Sequence, residues 1–339
     1  MLLELPPFEH VNASSVKETV HWLSMYGEKG RVVGGGTDLL GLMKDRIEGP
    51  DFRRPEVLIN IKMIPEMKRI TCDDQGLRIG AAVTLQDLIA SEIVGEKFPV
   101  LELAARQVGT TPLRYMGTLA GNLCQRPRCL YFRHPHFLCH KKGGDRCYAV
   151  GGEHRYYCSV LKNGKCVAAH PSDMAPALSA LDGKVIVANP RGELEVPVVD
   201  FFQGPNDFAE TILRSDEFIK EVRVPNQKGK TCQSFLKHRI RHSADFALAS
   251  VSVVARMTGG VCEGIRIILG GVAPFPYRVL VAEDSLKGQR LDEVLISRAA
   301  EATTDGARPH RMNSYKVGLT QALVKKALLS ISQSAIEQS

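Results

Sequence analysis

No run in this 339-residue chain is long and apolar enough to cross a membrane. Its first ten residues carry Glu4, Pro6, Pro7 and Glu9 where an export signal needs basic residues and then an apolar stretch. Internal repeats and low-complexity segments are lacking as well, which excludes solenoids and solvated tails. An odd number of cysteines, nine, at uneven spacing argues against a secreted disulfide framework and for reduced thiols. Together these absences point to a folded cytoplasmic protein, or a periplasmic one if a partner subunit carries the export signal. Basic character along the whole chain is also missing, although a net charge of +7 and a pI near 8.9 suggest it. Between Cys124 and Cys166, nine Lys and Arg residues stand against Asp145 and Glu153 alone, and the rest of the chain balances at 35 basic and 35 acidic residues. A single segment sets the charge, so nucleic-acid binding loses its compositional support.

That same segment holds six of the nine cysteines, Cys124, Cys129, Cys139, Cys147, Cys158 and Cys166, with His134, His140 and His154 among them. Thiolates are soft ligands, and four of them satisfy a tetrahedral zinc ion or a cubane iron-sulfur cluster. Structural zinc sites pair their ligands in short knuckles, and only Cys124 and Cys129 come close to that spacing. The longer gaps suit an insertion wrapped around a buried cluster, while a zinc site completed by histidine and unrelated buried thiols stay open. Basic residues around a negatively charged cluster offset its charge and suit docking on an acidic redox partner.

Elsewhere the chain alternates strand and helix signals. Ser15 followed by Glu18 reads as a capping box opening an amphipathic helix. Residues 31–40 read as a short β-branched strand, the turn Gly34-Gly35-Gly36, and a helix start with Thr37 or Asp38 able to cap. This arrangement presents backbone N–H groups to an anion, yet it fits neither the dinucleotide fingerprint nor the P-loop. Strands are expected at 56–61 and 77–82, a helix at 85–89, and a helix capped from Ser172-Asp173 through Leu178. A hairpin is expected from 184–188 and 194–198. Residues 109–112 and 117–122 form a small-residue region that reads as a pair of turns or as a close approach to a flat ligand. After the linker at 226–230 the texture changes to strands at 249–256 and 263–269 and a long helix at 314–336, a separate α+β unit.

Three motifs taken together, residues 33–39, 117–123 and 172–178, with Lys237 to Ala247 after them, resemble the FAD-binding subunit of molybdenum hydroxylases, the xanthine dehydrogenase family. The resemblance covers essentially the whole chain. It implies an α+β protein with the vanillyl-alcohol-oxidase-like (PCMH-type) FAD-binding fold over 1–226, built of two α/β subdomains at about 1–55 and 56–226, and a small C-terminal α+β domain over 227–339. The cysteine-rich insertion, about 123–168, is similar to that of the 4-hydroxybenzoyl-CoA reductase and periplasmic-type aldehyde oxidoreductase branches, whose flavin subunits hold an extra [4Fe-4S] cluster. Carried over residue by residue, the ligands would be Cys129, Cys139, Cys147 and Cys166, with Cys124 as the alternative to Cys129. Cys72, Cys232 and Cys262 read as core thiols.

For FAD, the resemblance implies that Val32, Val33, Gly34, Gly35, Gly36, Thr37, Asp38 and Leu39 cradle the pyrophosphate. Gly117, Thr118, Leu119, Ala120, Gly121 and Asn122 would approach the flavin from the other side. Asp173 would bind near the flavin or ribityl chain, and Lys237 would stand near the isoalloxazine as a cation. No residue here is expected to carry substrate chemistry. The implied partners are a large molybdopterin-binding subunit, a small [2Fe-2S] subunit, and an external acceptor or donor such as ferredoxin or NAD. A stand-alone FAD oxidoreductase and a zinc-stabilised binding module are the alternatives.

Overall fold

The computed structural model describes residues 4–204 and 206–337. Met1–Leu3, part of the start read against an export signal, lie outside the described residues. Three sheets organise the chain. The first is parallel, in the order β1 (Glu9–Asn12), β3 (Val57–Asn60), β2 (Gly30–Val33). All four residues of β3 are buried, as a central strand covered on both faces requires. This strand lies beyond the expected subdomain boundary at 55, so the first sheet runs across it. The crossover helix Val16–Tyr26 is capped by Ser15, whose side chain accepts from the Glu18 N–H. The expected capping box is only half made, because the Glu18 carboxylate takes the Ser14 N–H and Trp22 Nε1 instead.

The second sheet is antiparallel, with order β4 (Ile70–Asp73), β5 (Gly76–Gly80), β8 (Phe218–Val224), β6 (Lys184–Asn189), β7 (Gly192–Pro197). The hairpin β6–β7 forms as expected from the sequence. Small helices pack beside this sheet, among them Leu85–Ala90, where Thr84 and Asp87 make a reciprocal capping box. The small-residue region, read as a pair of turns or as a close approach to a flat ligand, is helical in two short pieces, with Thr111–Met116 carrying Pro112 in its first turn and Leu119–Leu123 capped by Thr118.

The third sheet has the order β12 (Tyr277–Arg278), β11 (Val261–Gly270), β10 (Ala249–Thr258), β9 (Thr231–His238). Its side chains alternate between two cores. Val251, Val253, Ile265 and Ile267 join the core shared with the long helix Tyr315–Glu337. Phe235, Val254 and Ile268 enter the main core of the first two sheets. The insertion has little regular structure and wraps around two small apolar clusters, one centred on Phe132 and Cys139 and one on Ala149 and Cys158. Cys129 packs against both.

Candidate cofactor site

The glycine run follows directly from β2. A Cβ on Gly35 would stand 1.7 Å from the Met116 carbonyl oxygen, and one on Gly34 would stand 2.8 Å from Thr118 Oγ1. Close contact between two loops therefore demands these glycines, Gly35 against backbone and Gly34 against the Thr118 side chain, while Gly36 adds a left-handed φ of +68°. The contact brings residues 34–38 and 116–122, far apart in sequence, onto one site. Among the described residues, the N–H groups of Gly35, Gly36, Thr37 and Asp38 donate to no protein acceptor. A run of free backbone donors at a half-exposed rim fits an anionic group such as a pyrophosphate.

Residues of the second motif also hold the fold together. Leu119 and Ala120 are buried in the main core. Thr118 Oγ1 caps that helix by accepting from the Gly121 N–H at 3.2 Å. Buried Asn122 accepts from Ser172 Oγ at 2.6 Å and from the Met174 N–H at 3.4 Å, tying the second motif to the third. Ser172, not Asp173, caps the helix Met174–Ala180, accepting from the Ala175 N–H at 3.0 Å.

Asp173 and Lys237 are each other's partner. Lys237 Nζ lies 2.6 Å from Asp173 Oδ2 and 2.9 Å from the Gln107 carbonyl, and both side chains are buried. Burial raises the Asp173 carboxyl above its ordinary range, and the ammonium beside it pulls the other way. The residue expected near the isoalloxazine and the one expected near the flavin or ribityl chain thus form a buried ion pair. The pair anchors the segment just before Gly109, through the Gln107 carbonyl, to the end of β9.

Asp38 makes no helix-capping bond. Its Oδ1 lies 2.8 Å from Arg128 and 2.6 Å from Arg133, and its Oδ2 accepts the Arg126 N–H at 2.8 Å. Sequence reasoning missed all three arginines, since nothing in their spacing signals a partner some ninety residues upstream. Arg126 also pairs with Glu210 at 2.6 Å, which in turn holds Lys141 at 2.7 Å.

Cys129, Cys139, Cys147 and Cys166 line one small cavity together with Tyr131, Phe132 and Tyr148. Cys124 does not. It packs against the main core, where burial pushes its thiol up to about 12. Cys158, left aside by sequence reasoning, is buried in the apolar cluster against which Cys129 packs, and the two thiols shift each other, Cys129 down and Cys158 up. Among the described residues, no three His, Cys, Asp or Glu side chains gather closely enough to hold a single metal ion. The histidines considered for zinc are engaged elsewhere. His154 accepts the Met312 N–H at Nε2 and meets the Ala149 carbonyl at Nδ1, while His140 stacks on Phe208 and meets the Gly144 carbonyl. Of the remaining thiols, Cys232 and Cys262 are buried in the core and Cys72 is partly buried.

The family described as FAD binding domain in molybdopterin dehydrogenase matches residues 6–227, and the one described as CO dehydrogenase flavoprotein C-terminal domain matches residues 234–331. The aldehyde oxidoreductase FAD-binding subunit PaoB of Escherichia coli is 35% identical over 309 residues, 89% of this chain and 90% of the relative. The glyceraldehyde dehydrogenase medium chain of Sulfolobus acidocaldarius is 26% identical over 330 residues, 96% and 99% of the two chains. Among solved structures, a chain of carbon monoxide dehydrogenase from Hydrogenophaga pseudoflava superposes with a TM-score of 0.77 at 27% identity, covering 97% of this chain and 98% of the other. On this evidence the chain belongs to the FAD-binding medium subunits of the molybdenum hydroxylase and carbon monoxide dehydrogenase family.

Proposed function

We propose that this chain is the FAD and [4Fe-4S] electron-transfer subunit of a multisubunit molybdenum-containing hydroxylase or dehydrogenase. It would pass electrons between partner subunits, one large with molybdopterin and one small with [2Fe-2S], and an external acceptor or donor such as ferredoxin or NAD. The observation that carries the cluster is the convergence of Cys129, Cys139, Cys147 and Cys166, spread over nearly forty residues, on one cavity. Four thiolates around a cubane stand farther apart than the ligands of one ion, and this donor set suits iron and sulfide. Three family motifs meeting at one site, with free N–H groups at its rim, support the FAD positions.

Bound together, the two groups would supply one-electron and two-electron chemistry side by side. This chain's residues bind and position. Gly35 to Asp38 offer N–H donors to the pyrophosphate, Asn122 holds two motifs in register, and the Lys237–Asp173 pair fixes the Gln107 carbonyl and the loop beside it. Lys142 and Lys316 are fully buried, and among the described residues neither pairs with a carboxylate. Their ammonium groups are held within the insertion, by the His134 carbonyl at 2.7 Å and the Cys158 carbonyl at 3.0 Å, and would offset the negative charge of a thiolate-bound cluster. All nine cysteines are free, which favours a reducing compartment, the cytoplasm.

The test is iron and flavin content of the anaerobically purified chain, with electron paramagnetic resonance after dithionite reduction. About four irons and one FAD per chain, with a fast-relaxing signal, are expected. Flavin without iron would reduce the insertion to a lid, and a folded chain with neither would sink the reading.

A further inference from the structure

Asp38 sits on the seam between the glycine loop and the cysteine insertion. Upstream it adjoins the free N–H groups of Gly35 to Thr37. Downstream its carboxylate holds Arg128 and Arg133, at 2.8 and 2.6 Å, and the backbone N–H of Arg126. Arg133 folds back on its own segment, donating from Nε to the Pro127 carbonyl at 2.8 Å and from Nη2 to the Arg126 carbonyl at 2.9 Å. Arg128 donates to Gln125 Oε1 at 3.0 Å and lies 4.2 Å over the Phe246 ring of the C-terminal domain. Residues 126–133 thus form a loop closed on one carboxylate, with Cys129 at its middle. The three charged side chains are only 14–19% exposed, so solvent does little to weaken these bonds.

Such a junction has few intermediate positions. Shifting the insertion by an ångström breaks charge-assisted hydrogen bonds and leaves a shielded carboxylate or guanidinium unpaired, which is strongly unfavourable. Whatever fixes Cys129 therefore fixes Asp38, and whatever orders the glycine loop orders residues 126–133. We propose that Asp38 is a positioning residue that couples the two cofactor sites, so that occupancy of the thiol cavity strengthens FAD binding at the glycine loop and the reverse. The inference rests on the FAD and cluster reading above. Linkage requires the two effects to be equal in size, and couplings of this kind span about 5-fold to 150-fold in affinity.

The experiment measures FAD affinity of the full chain, iron-loaded and after chelation of the iron, in wild type, Asp38→Asn and Asp38→Glu. Removing iron is expected to weaken FAD about tenfold in wild type and less than about twofold in Asp38→Asn, with part of the coupling restored in Asp38→Glu. Arg128→Gln, which leaves the glycine loop untouched, should reproduce the loss and serves if Asp38→Asn fails to fold. A residue needed only for folding would weaken FAD equally in both iron states and leave their ratio unchanged. Equal FAD affinities of iron-loaded and iron-free wild type overturn the inference, as does undiminished coupling in both variants. A wild-type chain that takes up no iron overturns the cluster reading itself and the inference with it.

Discussion

At the scale of single residues, the sharpest steric demand falls on Gly35. An added methyl group would overlap the Met116 carbonyl, and that atom belongs to backbone that cannot rotate away. Gly35→Ala is expected to push the two loops apart, destabilising the fold by about 1–3 kcal/mol and releasing flavin. The ratio of flavin to protein absorbance and a thermal melt would show both effects. His170 makes a second demand. Its ring is 4% exposed, packs 4.5 Å from the Phe202 ring and accepts the Ser172 N–H, and burial holds its pKa down to about 3. Below pH 6.5 the unfolded chain binds a proton that the folded chain refuses, so stability falls as pH drops from 6.5 towards 3. Between pH 7 and pH 5 the loss should reach about 2 kcal/mol, and His170→Phe should remove most of it. Urea unfolding at the two pH values decides this.

At the scale of elements, the long C-terminal helix does more than cover the third sheet. Lys316, in its first turn, is fully buried and donates to the Cys158 carbonyl at 3.0 Å and to the Gly271 carbonyl at 2.9 Å. The helix therefore holds the end of β11 and the insertion together. Lys316→Met removes a buried charge, which favours the variant, but leaves the Gly271 carbonyl without this donor, at about 1–3 kcal/mol. Destabilisation confined to the insertion is expected, visible as faster amide exchange around Cys158 with little change in the strands of the third sheet. The helix itself was legible from apolar spacing in the sequence, because packing on a sheet imposes a helical period. Lys316 was not, because a cation inside a core follows from what lies opposite it, and no periodicity encodes that. Helical spacing was likewise weak at 111–116 and 119–123, where elements of six and five residues are too short to establish a period.

At the scale of the molecule, the linker at 226–230 joins two domains that share a core. Phe235, Val254 and Ile268 of the third sheet are buried against the first domain. Trypsin cleavage at Lys228 or Lys230 should therefore leave fragments that co-elute on gel filtration, and separation of the fragments would contradict a shared core. The basic excess of the insertion also changes meaning. Arg126 and Lys141 meet Glu210, Arg128 and Arg133 meet Asp38, Arg146 and Arg155 meet neighbouring acids, and Lys142 is buried. Among the described residues of the insertion, only Lys162 and Lys165 remain exposed without an acidic partner. Ion pairing thus leaves a smaller unpaired basic area on the insertion than the charge count implied.

The sequence by itself determined the family motifs, most of the strands, the long helix, the linker and the presence of a thiol-rich insertion, because each is written in local spacing or in residue types that few folds tolerate. Tertiary structure alone decided which thiols share a cavity, that Asp173 and Lys237 pair, and that Asp38 serves the insertion instead of a helix cap. Those outcomes depend on distances between residues 8 to 95 positions apart, and such distances arise only when separate segments pack against a common core.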